Sequence, residues 1–330
     1  LTSLSLGYWL AGAVSHRLKG KEILYYGMVE SFVGVWALSF PWLFEGSFLL
    51  IKAKILSGLA GDSLVAIALT AVPATLMGLT LPLLTQGLSK SFKGASVTHA
   101  TVYAVNTFGA CFGSMLAGFF LIDLLGLNRA LWLVGGLNLI GGLSAIYFSR
   151  SVSEFYEEED VQMSGGPSIA NIWCVYAVAA CSGYLLISIE SFVIRLFSNA
   201  TDGSNYAYPT VVTVFVGAVG LGAYMASKLI HRARSLYPWL PFVSLIGWLF
   251  VYYSMPNWPY WDLEIKRLCH QFIGSYYWLP WVRLVAMTVL VSLPLVLSSM
   301  LLPFSFHFIK RRNVALGRST GVLYAISTIS

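Results

Sequence analysis

The sequence predicts an all-α polytopic membrane protein built from two parallel-repeat helical halves, and three observations carry that prediction. Hydrophobic residues make up 57% of the 330 positions and charged residues only 10%, far below the roughly 25% of a soluble domain. Apolar runs of about 20 residues recur with short polar breaks, the length of helix that crosses ~30 Å of hydrocarbon. Proline, tyrosine and glycine patterns then recur at a near-constant offset, so the runs fall into two related sets. Mean hydropathy is +0.74. The eleven tryptophans and eighteen tyrosines suit the aromatic belts of a bilayer interface.

Ten spans are expected, the first and last partial. Residues 1–14 carry no charge, and span 23–43 is interrupted only by Glu30. Span 64–87 contains Pro73 and Pro82. Span 98–121 carries Tyr103, Asn106 and Thr107, followed by Gly109 and Gly113, a GxxxG pair read as a packing device. Span 130–148 holds Gly135-Gly136 and Gly141-Gly142, read as helix-packing glycines. Span 169–197 contains Glu190 and Arg195. Span 208–230 presents Gly217, Gly220 and Gly222 as a packing face. Spans 236–253, 284–308 (with Pro294 and Pro303) and 319–330 complete the set.

Twelve basic residues fall in one set of loops, 15–22, 88–97, 149–168, 231–235 and 309–318, and Lys228 at the end of its span makes thirteen on that side, against five in the other set. The positive-inside rule places the first set in the cytoplasm, with the inner (plasma) membrane as the expected location. The pI near 9.1 therefore reflects loop charge, and no nucleic-acid partner is expected. The stretch 149–168, "SRSVSEFYEEEDVQMSGGPS", reads as an acidic cytoplasmic linker. The aromatic and charged segment 254–283 reads as an outer piece containing a short helix in the interface plane. The four cysteines form no CxxC pair, so neither a zinc site nor a disulfide framework is signalled.

The repeat has two parts. Moved by 221 positions, Pro73 meets Pro294, Leu81-Pro82 meets Leu302-Pro303, Tyr103-Ala104 meets Tyr324-Ala325, and Thr107 meets Thr328. Moved by 215, Gly7 meets Gly222, and His16-Arg17 meets His231-Arg232. Corresponding basic loops fall on one side, so the repeat is parallel. Internal repeats of this kind mark secondary transporters. The expected organisation is an N-terminal half over 1–148 lacking its first helix, the linker 149–168, and a truncated C-terminal half over 169–330. Together these are ten spans of a twelve-span bundle, read as an internal piece of a longer protein.

The stretch "GYWLAGAVSHRLKGKEILYY" resembles the loop between the second and third helices of major-facilitator proteins, with His16 and His231 where that motif usually has aspartate. More specifically, the chain resembles the membrane part of spermidine-synthase-like membrane proteins. The matching pieces are "YYGMVESFVGVWAL", "LTLPLL", "YAVNTFGACFGSMLAGF", "ISIESFVIRLF" and "NYAYPTVVTVFVGAVGLG". The resemblance implies a major-facilitator-like bundle, often fused to an aminopropyltransferase-type domain. No catalytic site or cofactor motif is visible in the chain itself. Aminopropyl transfer would require a synthase domain after residue 330.

Glu30, Glu190 and Arg195 are the ionisable residues placed within spans, where a charge costs at least ~2.5–3.5 kcal/mol. With Tyr103 and Asn106 they form the expected substrate-binding set, against a structural alternative of interhelical pairing for each. Two functions follow. One is a transporter-like bundle for a small solute, a polyamine or other cationic amine being the class implied by the resemblance. The other is a non-transporting anchor for a synthase-like domain, or a subunit of a larger membrane complex.

Overall fold

A computed structural model describes residues 1–14, 17–18, 20–52, 58–89, 94–153, 172–273, 276–309 and 316–329. The loops expected at 15–22, 88–97 and 309–318 lie partly outside the described residues, as does His16. Most of the 149–168 linker lies outside them too. Among the described residues every regular element is helical. In chain order these are α1 (Thr2–Val14), α2 (Glu22–Lys52), α3 (Leu59–Leu88), α4 (Ala95–Leu116), α5 (Ile122–Ser153), α6 (Ile172–Ala200), α7 (Ala207–Leu229), α8 (Ala233–Leu236), α9 (Leu240–Ser254), α10 (Trp258–Leu268), α11 (Leu279–Ser299), α12 (Leu301–Ile309) and α13 (Leu316–Ile329).

Among the described residues six helical segments are long and apolar enough to cross a membrane: Glu22–Leu49, Leu59–Leu88, Ala95–Arg150, Trp173–Ala200, Ala207–Leu236 and Leu279–Ile309. The chain is an all-helical membrane protein. Ala95–Arg150 is 56 residues long, roughly 84 Å if straight and more than two hydrocarbon thicknesses. It joins α4 to α5 through a π turn at Ala117–Leu121 and is broken at Gly126, where φ is 74° and ψ 167°. Glycine alone takes that backbone without steric cost, so one residue divides a double-length run. Large side chains such as Phe242, Ile246, Phe250 and Val289 are exposed along their helices. Water would not tolerate so much apolar surface, and lipid does.

The chain forms two compact units. The first comprises Leu1–Thr98, Leu125–Ile172 and Phe308–Ser330; the second comprises His99–Leu124 and Trp173–His307. In the first, α1 packs on α3 and α13, and α2 on α3. Helix α2 also meets α5 through glycines: a Cβ on Gly34 would fall 2.7 Å from Leu139 N, and one on Gly27 would fall 2.6 Å from Gly142 O. Glu22 sits in the first turn of α2, where a carboxylate complements the positive helix end. It accepts a hydrogen bond from Gln86 Nε2 at 2.7 Å. In the second unit, α11 packs on α7 and α9. Val193, Phe197, Val211, Phe215, Val251 and Leu295 belong to its core.

The same crossing is built once in each unit. Gly7 of α1 lies against the Thr75 carbonyl and Gly78 of α3. A Cβ there would stand 2.9 Å from Gly78 Cα. Gly222 of α7 lies against Val296 and Ser299 of α11, where a Cβ would stand 2.5 Å from Val296 O. The 215-residue offset takes Gly7 to Gly222, and the 221-residue offset takes Thr75 to Val296 and Gly78 to Ser299. The glycines let two backbones approach closely, as in small-residue membrane interfaces. The two copies differ beyond the crossing. Helix α3 continues through Pro73 and Pro82, whereas its counterpart breaks at Met300 between α11 and α12. Ser299 stands where α3 has glycine, and its hydroxyl donates to Val296 O at 2.9 Å, loosening the ladder just before Pro303 removes a donor.

Not every predicted packing glycine packs. A Cβ on Gly109 or Gly113 would meet nothing within 4 Å among the described atoms. Helix α4 instead approaches α7 through Phe108 and Cys111, 3.2 and 3.0 Å from the positions of a Cβ on Gly220 and Gly217. Cys111 Sγ donates to Thr213 O at 3.4 Å, and the hydroxyls of Ser114 and Thr213 are 3.1 Å apart. The expected GxxxG contact is therefore made by the α7 glycines against larger α4 side chains.

Candidate functional site

The expected site residues divide between the two units. Glu30 lies in the first, half-buried on α2, and accepts a hydrogen bond from the Tyr26 hydroxyl one turn earlier. That contact is local, between positions four apart on one helix. Tyr103, Asn106, Glu190 and Arg195 belong to the second unit. Tyr103 is half-buried, and its carbonyl accepts the Thr107 hydroxyl at 2.6 Å. Asn106 is exposed on α4 and makes no hydrogen bond among the described residues.

Glu190 is half-buried on α6, four residues past the helix midpoint, or ~6 Å along the axis. It makes no hydrogen bond or ion pair among the described residues. Arg195 is exposed on the same helix and has no carboxylate partner there. Five positions turn a helix by about 140°, which keeps the two side chains of α6 apart.

A different cluster of charges is tightly assembled. Arg283, in the second turn of α11, donates from Nε to Asp262 Oδ1 at 2.7 Å and from Nη2 to Asp262 Oδ2 at 2.8 Å. Lys266 Nζ lies 3.2 Å from Asp262 Oδ2, one turn along α10, and also contacts the Asp202 carboxylate. Asp202 sits in the turn after α6 with φ 56°, a left-handed conformation that Asp accepts more readily than most residues. The hydrogen bond and charge of Lys266 hold the Asp202 carboxyl below the usual carboxylate range. The hydrogen bond to Asp202 in turn raises the Lys266 ammonium above its usual value. Helix α10 also anchors itself through Trp258, whose Nε1 donates to Ser254 Oγ at 3.1 Å.

Beside the Asp262–Arg283 pair lies a cavity of about 500 Å³. Its walls are Phe197 and Ala200 of α6, Phe250 of α9, Trp258 and Trp261 of α10, and Met287 of α11. Asp262 and Arg283 form its polar edge, already satisfied by each other. Farther along α10 and its continuation, Lys266, Arg267, His270 and Gln271 line a polar pocket.

Sequence reasoning missed this cluster. Its signal was the stretch "WPYWDLEIKR", where Trp258, Asp262 and Lys266 recur every four residues, followed by an arginine just inside a span. Read as an interfacial helix, that stretch gave no reason to pair Asp262 with a residue 21 positions later. Among the described residues no three His, Cys, Asp or Glu side chains gather to hold a metal. No protein-family model matches the chain, and no curated protein matches it.

Proposed function

We propose that the chain is the membrane bundle of a secondary-transporter-like protein of major-facilitator type, related to the spermidine-synthase-like membrane proteins. It would move a small cationic solute, a polyamine or other amine, with Glu190 as the residue meeting the positive charge. The observation that carries this reading is Glu190 itself, a carboxylate without a partner among the described residues, near the middle of a membrane-length helix. A charge at that depth is retained at a cost, and such residues mark solute and proton paths. The recurrence of the Gly7 crossing at Gly222 supports a parallel repeat, the architecture of such transporters. Of the ten spans in this reading, seven fall on the six segments that are long and apolar enough to cross a membrane. The break at Gly126 divides one of these into two, and α1, α9 and α13 supply the shorter ones.

The anchor reading has one observation in its favour. The most buried ion pair among the described residues, Asp262–Arg283, joins two elements and leaves neither charge available to a solute. Uptake of radiolabelled spermidine into sealed proteoliposomes separates the two readings. Transport predicts time-dependent accumulation that Glu190→Gln abolishes while the variant still inserts and elutes as a single species. An absence of accumulation by the wild-type chain, at any imposed pH gradient, would favour the anchor.

A further inference from the structure

We infer that the cavity between α6, α9, α10 and α11 holds one acyl chain of a zwitterionic phospholipid, with its headgroup on the charged rim formed by α10 and the turn after α6. This goes beyond the transport reading and does not depend on it.

The walls define the tail. Phe197, Phe250, Trp258, Trp261, Met287 and Leu290 offer apolar and aromatic surface. Asp262 pairs with Arg283 Nε and Nη2, and among the described residues no buried side-chain nitrogen or oxygen is left without a partner to recognise a polar solute. A volume of about 500 Å³ lies within the roughly 300–1,000 Å³ of ligand sites. The walls on α9 and α11 are open at their outer side: Phe250 is 68% exposed on α9, and Val289 is 78% exposed on the membrane-length α11. A molecule already in the bilayer can enter sideways.

The charges define the head. Within this corner, Asp202, Asp262 and Glu264 supply three carboxylates, and Lys266, Arg267 and Arg283 supply three cations. The site is balanced, so it has no general attraction for an anionic lipid. Its exposed members carry both signs. The side chains of Asp202 and Glu264 are 79% and 63% exposed, and that of Arg267 is 74% exposed. A phosphate can sit against Arg267 and Lys266 while the lipid ammonium meets Glu264 or Asp202. Arg267 and His270 follow Ile265 of the cavity wall by two and five residues on the same helical run. That spacing is ~3–8 Å of helix rise, so the charged residues begin within about one turn of the cavity wall.

The test uses the full chain, delipidated in detergent and titrated with phosphatidylethanolamine, phosphatidylglycerol, inorganic phosphate or a chain-matched fatty alcohol. Native mass spectrometry reads bound lipid, and melting temperature reads stabilisation. Phosphatidylethanolamine should bind with unit stoichiometry and raise the melting temperature more than the other three. Ala286→Phe, which fills the cavity, should abolish the adduct without lowering the melting temperature of the lipid-free protein. Ala200→Leu serves as a second filler if the first fails to fold. Arg267→Glu should weaken binding by about fivefold or more, the loss of one basic contact at a headgroup. An adduct that persists in a folded filled variant overturns the inference. So does equal stabilisation by phosphatidylglycerol, free phosphate or the alcohol.

Discussion

Arg283 holds Asp262 by two parallel hydrogen bonds, 2.7 and 2.8 Å long, with the arginine side chain 6% and the aspartate side chain 5% exposed. The arginine enters α11 near its N-terminal end, where the helix dipole opposes a cation. The aspartate comes from the amphipathic helix before it. Neither charge has a reason to be buried alone. Together they fix α10 against α11 through the planar fork that arginine offers and lysine does not.

Removing one partner strands the other. Asp262→Ala should cost about 3–5 kcal/mol, the usual result of leaving an uncompensated buried charge. Arg283→Met should be milder, because Lys266 remains 3.2 Å from Asp262. The double variant Asp262→Leu with Arg283→Met should recover most of the loss, since apolar replacements of a buried pair are often neutral or better. Thermal denaturation of the purified chain in detergent provides the comparison. A double variant as unstable as Asp262→Ala would show that the pair does more than compensate its own burial.

Asp202 and Lys266 should give stability a shallow dependence on pH with two limbs. The folded carboxyl of Asp202 is depressed. Its contribution is therefore present above the ordinary aspartate value, ~3.9, and is lost as pH falls through the lower folded value. Lys266 is raised. Its contribution is present below the ordinary lysine value, ~10.4, and is lost as pH rises through the higher folded value. Between those limits the pair should be flat. Asp202→Asn should weaken both limbs, and added salt should do the same, because the Asp202 side chain is 79% exposed. Melting temperatures across pH for wild type and variant test the sign of each limb.

The repeated crossing makes a symmetric prediction. Gly7→Val and Gly222→Val should each destabilise by about 1–3 kcal/mol or more, the range for forcing volume into a packed contact. Gly109→Ala and Gly113→Ala should be neutral or slightly stabilising, since open space surrounds both positions and alanine is the better helix former. Matched losses at the first pair and none at the second would be read from unfolding midpoints. A loss at Gly109 would place an unseen partner against α4.

The helices and the offset that pairs the Gly7 crossing with that of Gly222 were legible because hydropathy and residue spacing are one-dimensional signals. A run of apolar residues reports its own length, and Pro73 reports Pro294 without any knowledge of contacts. Gly126 was legible only as a gap between spans 98–121 and 130–148. The helix itself continues through Ile122 and Asp123, as the π turn keeps the backbone bonded. The glycines were less legible. Gly109 and Gly113 have the small-xxx-small spacing of a packing pair but meet nothing among the described atoms, whereas Gly7 makes a close crossing on α3. Spacing within a helix says which residues share a face and not what that face meets. The Asp262–Arg283 pair was invisible for the same reason, since its partners lie on different helices and only the folded chain aligns them.

Glu30 and Glu190, both carboxylates inside expected spans, should respond oppositely to the same substitution. Glu30 is held by the Tyr26 hydroxyl, so Tyr26→Phe should cost ~1.5–3 kcal/mol, as for a hydrogen bond to a charged group. Glu30→Gln should cost less, because the amide oxygen still accepts the bond. Glu190 has no partner among the described residues to lose, and carrying a charge at its depth is unfavourable. Glu190→Gln should therefore leave the melting temperature unchanged or raise it, the pattern of a functional residue retained against stability. The two variants and Tyr26→Phe can be melted side by side in one detergent. A clear drop for Glu190→Gln would reveal a structural partner for that carboxylate and remove the ground for giving it a solute.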